Sequence, residues 1–231
     1  MSRATRALLL TSASATLVLS SLATPTAGTS PAQVSVIQGF PGQRLDICID
    51  GKEVKSRVRY GSKKLLSVAD GVHKLKAFKK DPRRCKGKLV AKRTFSVVAG
   101  DDLTFVIARG KPNVIAFDNG GLPLVEPAVP QWPHVFRHAA DFGSVEFHAS
   151  NVGLVVPSFD GLAFEKGDML LRSLPVDGTI VVFVTRPGAN KRLAGPRFWS
   201  GLEAKRYGYT LVGSSARNLR IVRIARDLLG A

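Results

Sequence analysis

Three segments of this chain recur later in it, in the same order and about a hundred residues on. Leu45-Asp46-Ile47-Cys48 returns as Val145-Glu146-Phe147-His148. Ala69-Asp70-Gly71-Val72-His73-Lys74-Leu75-Lys76-Ala77 returns as Val176-Asp177-Gly178-Thr179-Ile180-Val181-Val182-Phe183-Val184. Ala99-Gly100-Asp101-Asp102-Leu103-Thr104-Phe105-Val106 returns as Glu203-Ala204-Lys205-Arg206-Tyr207-Gly208-Tyr209-Thr210. The offsets are 100, 107 and 104 residues, the mark of a duplicated domain with insertions in its loops. The repeat predicts two similar β-rich modules, and it contains no repeated polar constellation of the kind that forms an active site.

Residues 1–32 hold Arg3 and Arg6, no acid, and an apolar stretch from Ala7 to Ala23 diluted by Ser and Thr, followed by small residues and Pro25. That is the pattern of a secretory signal peptide. It is too short and too polar for a membrane span of about 20 mainly apolar residues. Cleavage after Ala23, Ala27 or Ala32 fits the small-residue rule. No adjacent arginine pair and no Cys before position 48 speak for twin-arginine export or a lipid anchor. The expectation is a secreted, extracellular protein with no stable membrane span after cleavage. No sorting motif or apolar tail follows Ala225, so it is either released or held non-covalently at the cell wall.

The remaining chain, about 200 residues, suffices for two domains of about 100 each. We expect a first module over 33–121, a linker over 122–133 marked by Pro123, Pro127, Pro130 and Pro133, and a second module over 134–231. Proline favours extended, semi-rigid chain, which predicts a limited range of module orientations.

Short β-branched or aromatic runs separated by Gly, Pro, Asn and Asp fill both modules. The first offers Val34–Gln38, Leu45–Asp50, Lys64–Val68, Val72–Phe78, Leu89–Val98, Leu103–Ala108 and Val114–Phe117. The second offers Pro133–His138, Ser144–Ala149, Gly153–Pro157, Met169–Ser173, Thr179–Thr185, Arg197–Gly201, Tyr207–Val212 and Leu219–Ala225. Seven or eight short strands per module is the pattern of an antiparallel β-sandwich. Arg217 to Leu229 is ambiguous, with a helical stripe at Leu219, Val222, Arg226 and Leu229, but the β-branched Ile221, Val222 and Ile224 favour strand. Asp50-Gly51 and Asp70-Gly71 read as turns, because Gly takes positive φ without steric cost.

Alternation assigns faces. Leu45, Ile47 and Ile49 share one face of their strand and Asp46, Cys48 and Asp50 the other, so Cys48 points away from the main core. Two cysteines in an exported chain are expected to pair, and Cys48 and Cys85 are the two. Their bridge would tie the loop Lys79 to Lys88 across the outer face of that strand. The alternatives are a metal pair, which has no third and fourth ligand nearby, and a catalytic thiol, which has no evident partner.

The chain carries 34 Lys and Arg against 17 Asp and Glu, a formal charge of +17. Up to Gly121, and after removal of Arg3 and Arg6, 19 basic residues face 8 acidic ones, and from Leu122 onward 13 face 9. The first module therefore carries most of the field. A cationic exported module attracts anionic partners such as cell-wall polymers, acidic glycans, nucleic acid or phospholipid surfaces. Lys74, Lys76, Lys79, Lys80, Arg83, Arg84, Lys86, Lys88, Lys92 and Arg93 fall on one expected hairpin. Lys74 and Lys76 alternate with Leu75 and Ala77, which puts many of these charges on one outer face. Such a patch binds phosphate- or carboxylate-rich polymers with strong salt dependence. Phe78 and Phe95 read as core residues rather than stacking platforms, so sequence-specific nucleic-acid recognition is not expected. The competing reading is a basic surface that serves only solubility.

Several phrases carry a resemblance: Ser35-Val36-Ile37-Gln38-Gly39-Phe40-Pro41-Gly42, Leu45 to Val54, Cys85-Lys86-Gly87-Lys88, Val98-Ala99-Gly100, Lys111-Pro112-Asn113, Phe136-Arg137-His138-Ala139-Ala140 and Tyr209 to Gly213. Together they resemble the secreted actinobacterial proteins built on domain of unknown function 4397, over nearly all of the mature chain. The resemblance implies tandem immunoglobulin-like or transthyretin-like β-sandwich domains, export, no established catalytic activity, and a recurrent Cys48–Cys85 pair. The chain departs from the usual pattern at Phe142-Gly143-Ser144, where a Pro-containing turn is common, and in its high Lys and Arg content.

Other constellations are weaker. His134 and His138 share a strand face and His148 is expected on a partner strand, but the first two would lie about 13 Å apart, so no metal site is expected. Ser67, Ser144, Ser158 and Ser173 lack a nucleophile-elbow frame. Asp101-Asp102 are adjacent on extended chain, point to opposite faces and read as turn residues. Phe198-Trp199 and Tyr207 to Tyr209 suit an aromatic glycan strip or, more simply, core packing. No catalytic residue and no cofactor is expected. The reading is a non-catalytic structural or adhesive protein of the envelope or exterior, with polyanion or glycan binding by the basic hairpin as the alternative.

Overall fold

The computed structural model describes residues 30–81, 84–120, 131–152, 159–175, 179–199 and 205–227. The expected signal peptide up to residue 29, Arg83, residues 122–130 of the expected linker and the expected strand Gly153–Pro157 lie outside them. The regular structure is all β. In the first half run β1 (Ala32–Gln38), β2 (Leu45–Ile49), β3 (Lys52–Val58), β4 (Lys63–Val68), β5 (Gly71–Lys79), β6 (Leu89–Val97), β7 (Asp102–Ile107) and β8 (Val114–Asp118). In the second half run β9 (Gln131–His138), β10 (Val145–Val152), β11 (Phe159–Phe164), β12 (Met169–Pro175), β13 (Thr179–Thr185), β14 (Arg192–Trp199), β15 (Lys205–Val212) and β16 (Arg220–Asp227).

The halves repeat one strand order. Sheets β4-β1-β7-β8 and β3-β2-β5-β6 of the first half correspond to β12-β9-β15-β16 and β11-β10-β13-β14 of the second. In each half one pair is parallel, β1 with β7 and β9 with β15, and the other pairings are antiparallel. The offsets read from sequence fall on equivalent strands: Cys48 faces Lys76 across β2 and β5, and His148 faces Phe183 across β10 and β13. An immunoglobulin sandwich joins its first strand to the second, fifth and fourth. Here the first strand sits with the fourth, seventh and eighth. The strand order is therefore not the immunoglobulin one.

Alternation builds each sandwich core. Val34, Val36, Phe105 and Ile107 meet Leu45, Ile47, Leu75 and Ala77 in the first. Phe136, Tyr207, Tyr209 and Leu211 meet Val145, Phe147, Ile180 and Val182 in the second. A third cluster joins the halves, with Ile37, Val106, Ala108, Ile115 and Phe117 from one and Ala139, Val212, Val222 and Ile224 from the other. In the sheets β4-β1-β7-β8 and β12-β9-β15-β16 the central strands β1, β7, β9 and β15 are therefore covered on both faces, and four sheets stack in one block. Their strands read as near-continuous apolar runs, such as Phe105-Val106-Ile107-Ala108, as doubly covered strands do. The halves are fastened by this shared core, where the sequence suggested only a proline-stiffened connection.

Two boundaries and two strands differ from expectation. Gln131, Trp132 and Pro133, placed in the linker, begin β9 and pair with Pro175, Leu174 and Ser173. Pro133 is tolerated because β9 gains its second neighbour only from His134 onward, so the missing N–H leaves no ladder gap there. Ala32, assigned to the leader segment, is buried and opens β1 opposite Val68. The strands β3 and β11 were not expected. Both are sheet edges bonded on one side only, and β3, Lys-Glu-Val-Lys-Ser-Arg-Val, is mostly charged. Arg217 to Leu229 is strand from Arg220 to Asp227, as its β-branched residues suggest.

Candidate functional site

The two outer sheets leave one face each to solvent, and the first carries the expected basic cluster. On β5, Leu75 and Ala77 face the core, so Lys74 and Lys76 stand on the outer face. Lys76 pairs across the ladder with Lys92, and Lys74 with Thr94. Among the described residues no carboxylate pairs with Lys74, Lys76, Lys86, Lys88 or Lys92. The acids nearby are engaged elsewhere. Asp46, buried, accepts the backbone N–H groups of Arg57 at 2.8 Å and Asp81 at 3.3 Å. Glu53 takes the Arg84 guanidinium at 3.4 Å.

The cluster is not one face throughout. Arg93 pairs with Leu75 and so lies on the core-facing row of β6, where it reaches the sandwich edge and donates Nη1–H to the Val114 carbonyl at 3.2 Å. Lys79 lies on the same core-facing row at the exposed strand end, opposite Leu45. Lys80 and Arg84 line a recess of about 450 Å³ with Asp46, Ser56 and Arg57. Arg83 lies outside the described residues. The outer-face set is thus Lys74, Lys76 and Lys92, with Arg84, Lys86 and Lys88 on the adjoining loop.

That loop is tied down as the alternation of β2 predicts. Cys48 is buried on the outer face and bonded to Cys85, with Cα atoms 6.1 Å apart. Gly87 sits against the Lys79 carbonyl, too close for any Cβ. Phe78, on the outer row opposite Asp46, is buried.

The equivalent outer face of the second half has no disulfide and opens as a groove of about 470 Å³ lined by Glu146, His148, Phe183, Thr185 and Arg192. His148 fills the place of Cys48. Its ring stacks on Phe183 with centroids 4.6 Å apart, and its Nε2 lies 2.8 Å from Thr185 Oγ1. Arg192 lies 4.9 Å from the Phe183 centroid, from the β14 side. These groups partner one another.

A third recess, missed in the sequence, opens where the halves meet. About 570 Å³ in volume, it is lined by Lys63, Arg197, Trp199, Ile221, Val222 and Arg223, with the Gly61-Ser62 turn at its rim. Lys63 donates to the Arg223 carbonyl. The Arg223 guanidinium stands 5.6 Å from the Trp199 ring centroid and 5.4 Å from that of Tyr207. The signal in the sequence was Arg223 itself, a charge inside the apolar run Ile221 to Ile224.

The remaining candidates are structural. His134 is fully buried, stacked with Tyr207 and Tyr209, and its pKa is pushed down to about 3 by burial and then by the charge of Arg223. His138 bonds the Gly143 carbonyl at 3.1 Å, and burial lowers its pKa. His148 is not on a partner strand of β9, whose neighbours are β12 and β15. Among the described residues no group of three metal-ligating side chains assembles. Ser67 Oγ accepts from Gln33, and Ser144 Oγ donates to Glu165. Ser158 lies outside the described residues. Asp101 accepts the Val98 N–H at 2.9 Å, whereas Asp102 is buried against Asn119, two separate roles on two faces. Tyr207 and Tyr209 are core residues, and Phe198 is exposed on the outer side of β14.

No protein-family model and no curated protein matches the chain. The solved structures it matches include the family 26 carbohydrate-binding module from Eubacterium rectale Amy13K in complex with maltoheptaose, at 11% identity over 86% of this chain and 100% of that chain, with a TM-score of 0.27. The description of the fold therefore rests on the strand order and the cores.

Proposed function

We propose that the protein is an exported, non-catalytic, structural or adhesive component acting at or outside the cell envelope, and that its adhesive chemistry is the retention of anionic polymers, cell-wall polymers or acidic glycans, on the outer face of β3-β2-β5-β6. One observation carries the reading: Lys76 and Lys92 face each other in register, flanked by Lys74 and the loop cations, while the neighbouring acids are bonded elsewhere. Like charges directly opposite destabilise a sheet by some tenths of a kcal/mol. A polyanion laid across the face removes that repulsion and releases counterions. The disulfide, and the lack among the described residues of any helix long and apolar enough to cross a membrane, are compatible with export.

The test is retention of the purified protein on isolated cell envelope at about 0.1 M and about 1 M salt, where screening lengths differ roughly threefold. Retention is expected at low salt only, and is expected to be lost in a Lys76→Glu, Lys86→Glu, Lys92→Glu variant. Retention that survives 1 M salt, or that survives charge reversal, would sink the proposal, as would none at either salt.

A further inference from the structure

The outer faces of the two sandwiches can be compared position by position, because their sheets share one strand order. In the first, Lys76 faces Cys48 across β2 and β5, and Lys74 faces Thr94 across β5 and β6. In the second, Phe183 stands in the place of Lys76 and faces His148, and Val181 stands in the place of Lys74 and faces Phe198. Two ammonium groups and a hydroxyl have thus become a valine and two phenylalanine rings on the same face. Phe198 is 62% exposed, and Val181 and Phe183 are half-buried. Aromatic surface rimmed by polar groups marks a binding face.

The polar rim is the groove of about 470 Å³ beside Phe183. Val181 and Phe183 are two residues apart on β13, so Phe198 stands about 7 Å along the face from the level of the groove. Phe183 is fixed by planar neighbours from the strands on either side. The His148 ring stacks on it at 4.6 Å and 6°, and the Arg192 guanidinium lies 4.9 Å from its centroid. A stacked guanidinium uses its face and keeps its N–H edge for acceptors. Glu146 accepts the Gly188 N–H at 3.1 Å, which ties the loop after β13 to β10, and a carboxylate has about four acceptor positions. Asn190 stands exposed on that loop.

Glu146 and Arg192 carry opposite charges, in contrast to the all-cationic row of the first half, and this balance suits an uncharged occupant. Planar carboxylate, amide and guanidinium groups hydrogen-bond pairs of hydroxyls, and an aromatic ring takes the C–H face of a pyranose. A protein partner fits less well. Standard interfaces bury about 800 Å² on each side around an apolar centre, whereas Phe198 is the one large hydrophobic residue exposed on this sheet among the described residues.

We propose that the outer face of β10, β13 and β14 binds a chain of uncharged pyranoses, one ring laid on Phe198 and a neighbouring unit hydrogen-bonded in the groove by Glu146, Asn190 and Arg192. The site is separate from the basic face of the first half. One stacked ring with a few hydrogen bonds binds weakly, with Kd on the order of 0.1 mM, so this strip does not by itself hold the protein on envelope at high salt.

The experiment is calorimetric titration of the purified protein with cellotetraose, maltotetraose, N-acetylchitotetraose and, as the anionic comparison, tetragalacturonate. Binding of at least one of the three neutral sugars is expected, with an affinity nearly equal at about 0.1 M and about 1 M salt, since no ionic contact is made. Phe198→Ala, at an exposed position, should weaken it about tenfold, the scale of one lost ring contact. Arg192→Ala should weaken it by a similar factor. No binding of any neutral sugar at about 5 mM, well above that Kd, would overturn the site. So would unaltered affinity in both variants. Tighter binding of tetragalacturonate, weakened by the same two substitutions, would overturn the neutral class. The Lys76→Glu, Lys86→Glu, Lys92→Glu variant should keep the sugar affinity intact, so envelope retention and sugar binding can fail separately.

Discussion

At Asp50 a turn, a carboxylate and an imidazole meet. Asp50 and Gly51 have φ of 51° and 79°, the pair of positive angles that a two-residue hairpin between β2 and β3 demands. The Asp50 carboxylate accepts the Lys74 N–H at 2.8 Å and faces His73 Nδ1 at 2.7 Å. His73 Nε2 faces the Ala69 carbonyl at 2.8 Å, so both ring nitrogens meet acceptors and the doubly protonated ring is favoured. The bond to Asp50 raises the His73 pKa, and the bonds from His73 and Lys74 lower that of Asp50. The signs fix a window. The His73 contribution is full below its unfolded value, about 6.5, and is lost as pH rises through the raised folded value; that of Asp50 is present above about 3.9 and is lost as pH falls through its lowered value. The pair therefore stabilises most between about pH 4 and 6.5. In a His73→Gln variant the Tm deficit against the parent should be larger at pH 5.5 than at pH 8.5, and an equal deficit at both would refute the pairing. The turn was legible in the Asp-Gly dipeptide. Its imidazole partner was not, because the contact depends on β2 and β5 being neighbours.

Among the elements, those with a one-sided environment were the easiest to read. β5 alternates Lys74, Leu75, Lys76 and Ala77 because one face is core and the other solvent, and the side of Cys48 followed from the same rule in β2. The edge strands escaped notice. All of β3 except Val58 is at least partly exposed, so it shows no alternation, and its charges blunt an open sheet edge against pairing with another chain. Arg93 escaped for a related reason. As the guanidinium of a long side chain it can start on the core row and still end at the edge, so alternation alone could not place it. The loop after β5 is the element the disulfide defines. Closing a separation of 37 residues restricts the unfolded chain by roughly 3 to 4 kcal/mol in the entropy model. A Cys48→Ala, Cys85→Ala variant should lose stability on that scale in urea unfolding, and limited proteolysis should cut first between Lys80 and Lys88. Full resistance to cleavage there would mean that other contacts hold the loop.

For the molecule as a whole, the deciding feature is the polar seam that crosses the shared core. Arg137, on the face of β9 turned to the first half, donates to Asn119 Oδ1 and lies 5.8 Å from the Phe117 ring centroid. Asn119 in turn donates to Asp102 at 3.0 Å and to Thr104 at 2.9 Å, and all four side chains are buried. Gly208 lies beneath it, and a Cβ there would displace the Arg137 guanidinium. At the rim Tyr60 reaches across to the carbonyls of Val212, at 2.9 Å, and Asn218, and burial raises its pKa to about 12. Burying a charge costs free energy that the bond from Arg137 Nη2 to Asn119 partly offsets, and removing that partner exposes the cost of desolvation. Ile37 occupies the position of Arg137 in the first half, so the duplicated surfaces meet asymmetrically, with a charge on one side only. Asn119→Ala should therefore destabilise by about 2 kcal/mol or more, and Gly208→Ala by a comparable amount through displacement of Arg137. If both act through Arg137, each should cost much less in an Arg137→Met background, a coupling that a double-mutant cycle measures in urea unfolding. Additive costs would place the two residues in separate roles. Strong coupling would make the seam the element that holds the recess between Lys63 and Arg223 in one shape, because the cations of that recess come from both halves.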